Sequence, residues 1–182
     1  MQISETAMLK RIAFLVCSAG LLFLLCLDAA ARERKRAPRF EDYPVKEIYE
    51  GKSAPLILKT DEQRQSVIYY QATADGGANF AGHYAVVVLS CGSVCVALDY
   101  LDIRTGKIIP GDMTASGWKK THDAFRQVEF RRGSRLIVFA GEIDEKRPNG
   151  WHFYLFDRGK LKRLRTIVTR GDFRTPLSHL MK

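Results

Sequence analysis

Residues 83–103 read HYAVVVLSCGSVCVALDYLDI, and the reading of this stretch decides the fold class. Two apolar runs, 83–89 and 94–103, carry hydrophobic residues at both parities and not on alternate positions only. A strand with one wet face alternates, so this pattern predicts central strands covered on both faces. Gly92 and Ser93 between the runs suit a tight reversal. With Ser93 at its apex, Cys91 faces Cys95, Leu89 faces Ala97 and Val87 faces Asp99. Residues opposed in this way sit about 4.5 Å apart at Cα, within the range a disulfide accepts. The pair Cys91 and Cys95 is therefore read as a structural disulfide, with Gly92 supplying the backbone freedom of a cross-linked turn.

Downstream of this hairpin, Arg104-Thr105-Gly106-Lys107 reads as a turn, Ile108-Ile109 as the start of a returning strand, and 110–117 as loop. A second meander follows. Residues 125–130 and 135–140 are joined by Arg131-Arg132-Gly133-Ser134, and 151–156 and 161–168 by Asp157-Arg158-Gly159-Lys160. Both connections are short, polar and glycine-bearing, as hairpin loops require. Upstream, residues 45–49 and 56–58 read as short strands. Thr60 with Gln63 forms a capping box, and Asp61 and Glu62 suit the positive end of a helix. That helix is predicted to run to about residue 73 and to end at Gly76-Gly77. The expected fold is mainly β: antiparallel meanders, as a sandwich or a propeller-like stack, with one N-terminal helix.

The N-terminus reads as a leader. Lys10 and Arg11 precede an apolar run over 12–27, and Ala29-Ala30-Ala31 offers a signal-peptidase site before Arg32. Met8 is an alternative start. The run is shorter than the roughly 20 residues of a spanning helix. An uncleaved anchor is the competing reading, because Arg32, Arg34, Lys35 and Arg36 follow directly and positive charge prefers the cytoplasmic side. The organisation expected is a signal peptide over 1–31, a basic flexible linker over 32–44 and a single β-rich domain over 45–182. Removing the leader leaves two cysteines, which suits a disulfide in an oxidising compartment. The expected location is periplasmic or secreted.

Charge is unevenly spread in a chain of net charge +9. Residues 40–118 carry a net −4 and residues 119–182 a net +9. A basic C-terminal half suggests an anionic envelope component or an acidic protein as partner, against the alternative of a solvated basic face. No nucleic-acid motif accompanies the charge, and an exported protein is a poor candidate for that partner.

One cluster invites chemistry: Asn79-Phe80-Ala81-Gly82-His83-Tyr84, followed by Cys91 and Cys95. A histidine and two cysteines suggest a thiol nucleophile with its base, or a zinc site. An extended strand between them puts His83 and Cys91 roughly 26 Å apart, at about 3.3 Å per residue. Only a sharp bend would bring them together. A redox pair would want C-x-x-C spacing, and a metal site would need two further ligands. No catalytic residue, metal ligand or cofactor is assigned. Asp99 shares a strand face with Ala97 and Leu101, so it needs either a partner or a place at the sheet margin. His122 beside Asp123, and His152 between Trp151 and Phe153, read as surface or core histidines. Trp118, Trp151, Phe153 and Tyr154 read as core aromatics. Candidate ligand contacts are Asn79, His83 and Tyr84, together with Arg131, Arg132, Lys160, Lys162 and Arg163 around the two later hairpin loops.

On these residues the chain resembles a family of uncharacterised secreted bacterial proteins. They carry an N-F-A-G-H-Y segment, a C-G-x(2-3)-C cysteine pair and a D-x-x-T-G turn, here Asp102-Ile103-Arg104-Thr105-Gly106. The likeness extends loosely to Gly133-Ser134-Arg135-Leu136 and to residues 151–161. Where that family carries Trp before the Cys-Gly pair, this chain has Leu89-Ser90. The resemblance implies export and one β-rich domain, and implies no activity. The leading expectation is thus a non-catalytic binding or structural module of the cell envelope. The alternatives are a thiol- or metal-dependent enzyme, and a secreted enzyme inhibitor that inserts the disulfide-pinned loop around Gly92.

Overall fold

The computed structural model describes residues 36–117, 127–169, 173 and 177–181. The expected signal sequence over 1–31, and Trp118, His122 and Asp123, lie outside them. Seven strands form one open antiparallel sheet: β1 (Tyr84–Gly92), β2 (Cys95–Asp102), β3 (Lys107–Ser116), β4 (Val128–Phe130), β5 (Leu136–Ile143), β6 (Lys146–Asp157) and β7 (Lys160–Val168). The order is β1-β2-β3-β5-β6-β7, with β4 paired to β5. Two meanders, β1-β2-β3 and β5-β6-β7, thus meet at a seam of two residue pairs, Ala115 with Ile143 and Ser116 with Glu142.

The two-sided hydrophobic pattern has a direct structural meaning, which β5 displays. Ile137 and Phe139 point into a core shared with Val86, Leu98 and Tyr100 of the first meander. Leu136, Val138 and Ala140 point the opposite way, into a second core with Trp151, Phe153, Ala37, Phe40, Phe173 and Leu177. The outer face of the first meander, with Ala85, Val87, Leu101 and Ile103, is covered by Tyr70, Ala74 and Ala78. The meanders therefore pack face to face, each with a cover on its outer side. Burying each of these large apolar side chains contributes about 1.5–3 kcal/mol relative to exposure. Ala37 and Phe40, in the stretch read as linker, are each 5 % exposed.

The cover of the first meander is helical. Thr60 Oγ1 accepts the Gln63 N–H at 3.2 Å, and Gln63 Oε1 accepts the Thr60 N–H at 3.3 Å, the capping box read from the sequence. The helix is split: α1 spans Asp61–Gln65 and α2 spans Val67–Asp75, with Ser66 between them. Tyr70 and Ala74, one turn apart, are the buried residues of α2. A last short helix, α3, covers Leu177–Leu180.

Four expectations are corrected. The run over 83–89 forms no central strand, since β1 stands at one end of the strand order, although Val86 and Val87 enter cores on its two faces. Residues 45–49 and 56–58 are not strands. Val45, Tyr49, Ala54 and Ile57 each donate a single backbone bond, to Gly133, Gly82, Ile103 and Gly106 respectively. Partners that change every few residues give no ladder. Residues 110–117 are not a loop, since β3 continues through Pro110 to Ser116. After the proline β3 bulges, setting Gly111, Asp112 and Met113 against the single residue Leu98 of β2, and Asp99 Oδ1 accepts the Gly111 N–H at 3.0 Å. The hairpin apex also shifts by one residue. Leu89 faces Ala97 and Val87 faces Asp99 as expected, but Cys91 sits in a bulge and Gly92 faces Cys95.

Candidate functional site

The Asn79–Tyr84 segment is a knot of backbone hydrogen bonds. Phe80 and Tyr84 exchange N–H···O bonds at 2.9 Å in both directions, while Ala81 and Gly82 take left-handed conformations between them. Phe80 is fully buried, with its ring 5.1 Å from that of Phe156. The Ala81 and Gly82 N–H groups donate to Ser134 and Arg132 of the β4–β5 loop, and the Gly82 carbonyl accepts from Tyr49. Asn79 Oδ1 accepts the Val86 N–H at 2.9 Å. These bonds fix His83 at the start of β1, beside the β2–β3 turn.

His83 faces Arg104 and Asp102 of that turn. Its Nε2 lies 2.8 Å from an Arg104 terminal nitrogen and 4.0 Å from Asp102 Oδ2. A guanidinium has donors only, so Nε2 accepts, and the ring is neutral with its proton on Nδ1. Burial, then the Arg104 charge, hold the His83 pKa below its ordinary value, against the opposing pull of Asp102 and Glu47. Arg104 Nε also lies 3.6 Å from Asp102 Oδ1. A pocket of about 410 Å³ opens here, walled by Lys46, Glu47, His83, Arg104 and Arg135. Among the described residues, no carboxylate forms an ion pair with Lys46 or Arg135.

The remaining candidate residues surround this end of the sheet without joining the pocket wall. Tyr84 packs its ring 4.8 Å from Phe156, and burial raises its pKa. Arg131 pairs with Glu41 at 3.1 Å and stacks 4.5 Å over the Phe40 ring. Arg132 donates to the Tyr49 carbonyl at 2.7 Å and to Glu50 at 2.8 Å. Both arginines thereby tie the N-terminal segment to the β4–β5 loop. The β6–β7 loop lies at the same end, since the Phe156 N–H donates to Arg135 and Asp157 faces Lys160. Lys160, Lys162 and Arg163 are exposed along β7.

The other suggestive residues lie elsewhere. Cys91 and Cys95 form a disulfide, with Cα atoms 5.0 Å apart, at the far end of the unbroken strand that begins beside His83. Asp99 finds its partner under the helix, accepting the Tyr70 hydroxyl at 2.5 Å. His152 is buried, with Nε2 3.0 Å from the Gly141 carbonyl and Nδ1 3.1 Å from Thr166 Oγ1. It therefore donates from Nε2 and accepts at Nδ1, and burial lowers its pKa.

Sequence reasoning did not single out Lys46, Glu47, Arg104 or Arg135, which line the pocket with His83. Arg104 reads as turn and Arg135 as strand start. The signals that pointed near them were the N-F-A-G-H-Y segment, whose backbone assembles the end of the sheet, the Asp102–Gly106 turn that contains Arg104 and the Gly133–Leu136 stretch that contains Arg135. Comparison with family models, with curated proteins and with solved structures finds no match to this chain.

Proposed function

We propose that the chain is an exported, non-catalytic binding module whose pocket beside His83 takes a carboxylate or phosphate group of an anionic envelope component. The observation that carries this reading is the convergence of Lys46, Arg104 and Arg135 on one pocket with a histidine that adds no charge of its own. Guanidinium forks match planar carboxylates and phosphates in bidentate pairs. Glu47 gives the pocket one opposing charge, which favours a ligand with a cationic or hydroxyl group near its anion. The disulfide supports delivery to an oxidising compartment. The thiol-enzyme alternative has less support, because Cys91 is bonded to Cys95 and His83 sits at the opposite end of β1.

The test is titration with inorganic phosphate and with a short polyuronate, followed by amide chemical shifts. The His83 and Arg135 signals should move, and binding should weaken as salt rises. Arg104→Ala combined with Arg135→Ala should reduce affinity at least about tenfold. Equal binding by that variant would sink the assignment. Intact mass of the protein from a bacterial host, alkylated with and without reduction, tests export. Loss of residues 1–31 with alkylation only after reduction is expected, and a full-length mass with freely alkylating Cys91 and Cys95 would overturn that part.

A further inference from the structure

The contacts of His83 depend on its protonation state. Nε2 lies 2.8 Å from a terminal nitrogen of Arg104, which can only donate, so this bond exists only while the imidazole is neutral. The nearest alternative partner is Asp102, whose Oδ2 is 4.0 Å from the same Nε2, within reach of a small side-chain rotation. We propose that His83 makes anion capture proton-linked: when it takes up a proton from solvent, Nε2 passes from Arg104 to Asp102, and the released guanidinium turns to the anion in the pocket. This adds regulation to the pocket and rests on its reading as an anion site.

The backbone around the pair is fixed, so side chains alone carry the exchange. The His83 carbonyl accepts the Ile103 N–H at 3.0 Å, and the Asp102 carbonyl accepts the Gly106 N–H at 2.8 Å. Asp102 Oδ1 accepts the Arg104 backbone N–H at 3.0 Å, which leaves Oδ2 for the histidine. The Asp102 side chain is 13 % exposed and the Arg104 side chain 50 %. The arginine is thus free to swing, whereas the carboxylate is held in place.

The charges around the ring set the sign. Lys46 and Glu47 come from the N-terminal segment, Asp102 and Arg104 from the β2–β3 turn, and Arg135 from the start of β5. Tyr84, beside His83 on β1, lays its ring 4.2 Å from the imidazole and stays uncharged, since burial raises its pKa. With a neutral imidazole these three cations exceed the two carboxylates by one charge, and a proton on His83 doubles that excess. Protonated His83 and Arg104 also repel each other, and an anion between them relieves the repulsion. Burial, then the Arg104 charge, favour the neutral ring, and a bound anion reverses that balance. By linkage, the factor by which the proton strengthens anion binding is the factor by which the anion strengthens proton binding.

The test uses sulfate, whose own charge does not change between about pH 8 and about pH 5, a range that brackets an ordinary histidine. Its affinity, measured by calorimetry, should rise at least about fivefold as pH falls across that range. Saturating sulfate should raise the His83 midpoint read from its imidazole signals by NMR. The Arg104 side-chain nitrogen signals should move with the same midpoint, as the guanidinium changes partner. His83→Gln keeps an acceptor for Arg104 and takes up no proton, so its sulfate affinity should be level across the range. The imidazole and guanidinium readings need no variant, and they decide the matter if that protein does not fold. Arg104 signals that stay put while His83 titrates overturn the exchange. Sulfate that moves the His83 and Arg135 signals with equal affinity at both ends overturns the proton link and leaves the pocket standing. Sulfate that moves neither signal at any pH removes the pocket and the link together.

Discussion

Gly77 and Gly106 share a φ of +71° and differ in what surrounds them. A Cβ at Gly77 would meet nothing within 4 Å, whereas one at Gly106 would lie 1.8 Å from the Pro55 carbonyl oxygen. Gly77→Ala should therefore cost only the left-handed backbone term, about 1 kcal/mol. Gly106→Ala must also push back a backbone segment held by the Ala54 and Ile57 N–H bonds, and should cost at least about twice as much. Urea denaturation of the two variants side by side measures the difference, and equal losses would refute the close approach. The histidines give a second contrast. His83 and His152 are both held below the ordinary pKa, chiefly by burial. The unfolded chain then takes up protons first as pH drops. Their contribution to stability is complete above about pH 6.5 and is lost as pH falls toward the lowered folded-state values. Both imidazoles should titrate below about 6.5 by NMR. A His83 signal titrating above that point would mean that Asp102, and not Arg104, governs its charge.

At the scale of elements, the hairpin tip is the most separable part of the fold. Cys91, Gly92, Ser93 and Val94 are exposed, and no core cluster draws on them. Closing so short a loop contributes about 2 kcal/mol in the chain-entropy model. Cys91→Ser combined with Cys95→Ser should lose about that much in a denaturant titration and keep its near-ultraviolet circular dichroism. No loss would show that the bridge is not structural. Legibility varied by element for physical reasons. The capping box announced α1 because it is written in two side chains, Thr60 and Gln63. The break at Ser66 was silent, since serine is acceptable inside a helix and the run on either side is helical. The β5–β6 reversal was also missed. It turns at Asp144-Glu145, both at positive φ, where the familiar signal would be a glycine after the aspartate. β3 was hidden by Pro110 and by the bulge that follows it, in which Gly111, Asp112 and Met113 stand against Leu98 and break the strand's alternation. What carries the strand across this break is its pairing to β2 on both sides, Pro110 with Asp99 and Thr114 with Ala97, which a local reading does not see.

The whole molecule was legible in class, because valine-rich runs with apolar residues at both parities have few uses besides doubly covered strands. Its layering was not. Which core each parity enters depends on pairings between residues far apart in the chain, such as Ile137 and Phe139 with Val86 and Leu98. The candidate site was half legible for the same reason. His83 stood out by type, whereas Lys46, Arg104 and Arg135 are ordinary basic residues until three separate segments meet.

Phe40 carries a consequence in time. It is buried against Leu136, Val138, Trp151 and Phe153, and the Tyr43 carbonyl accepts the Arg135 N–H. A chain made from its N-terminus at roughly 5–20 residues per second delivers those partners on the order of 5–20 s after Phe40 itself. The first meander can meanwhile close on α2 from neighbouring residues alone. A core side chain made early is thus among the last to be covered, and assembly runs outward from the middle of the chain, with residues 37–44 as the latch.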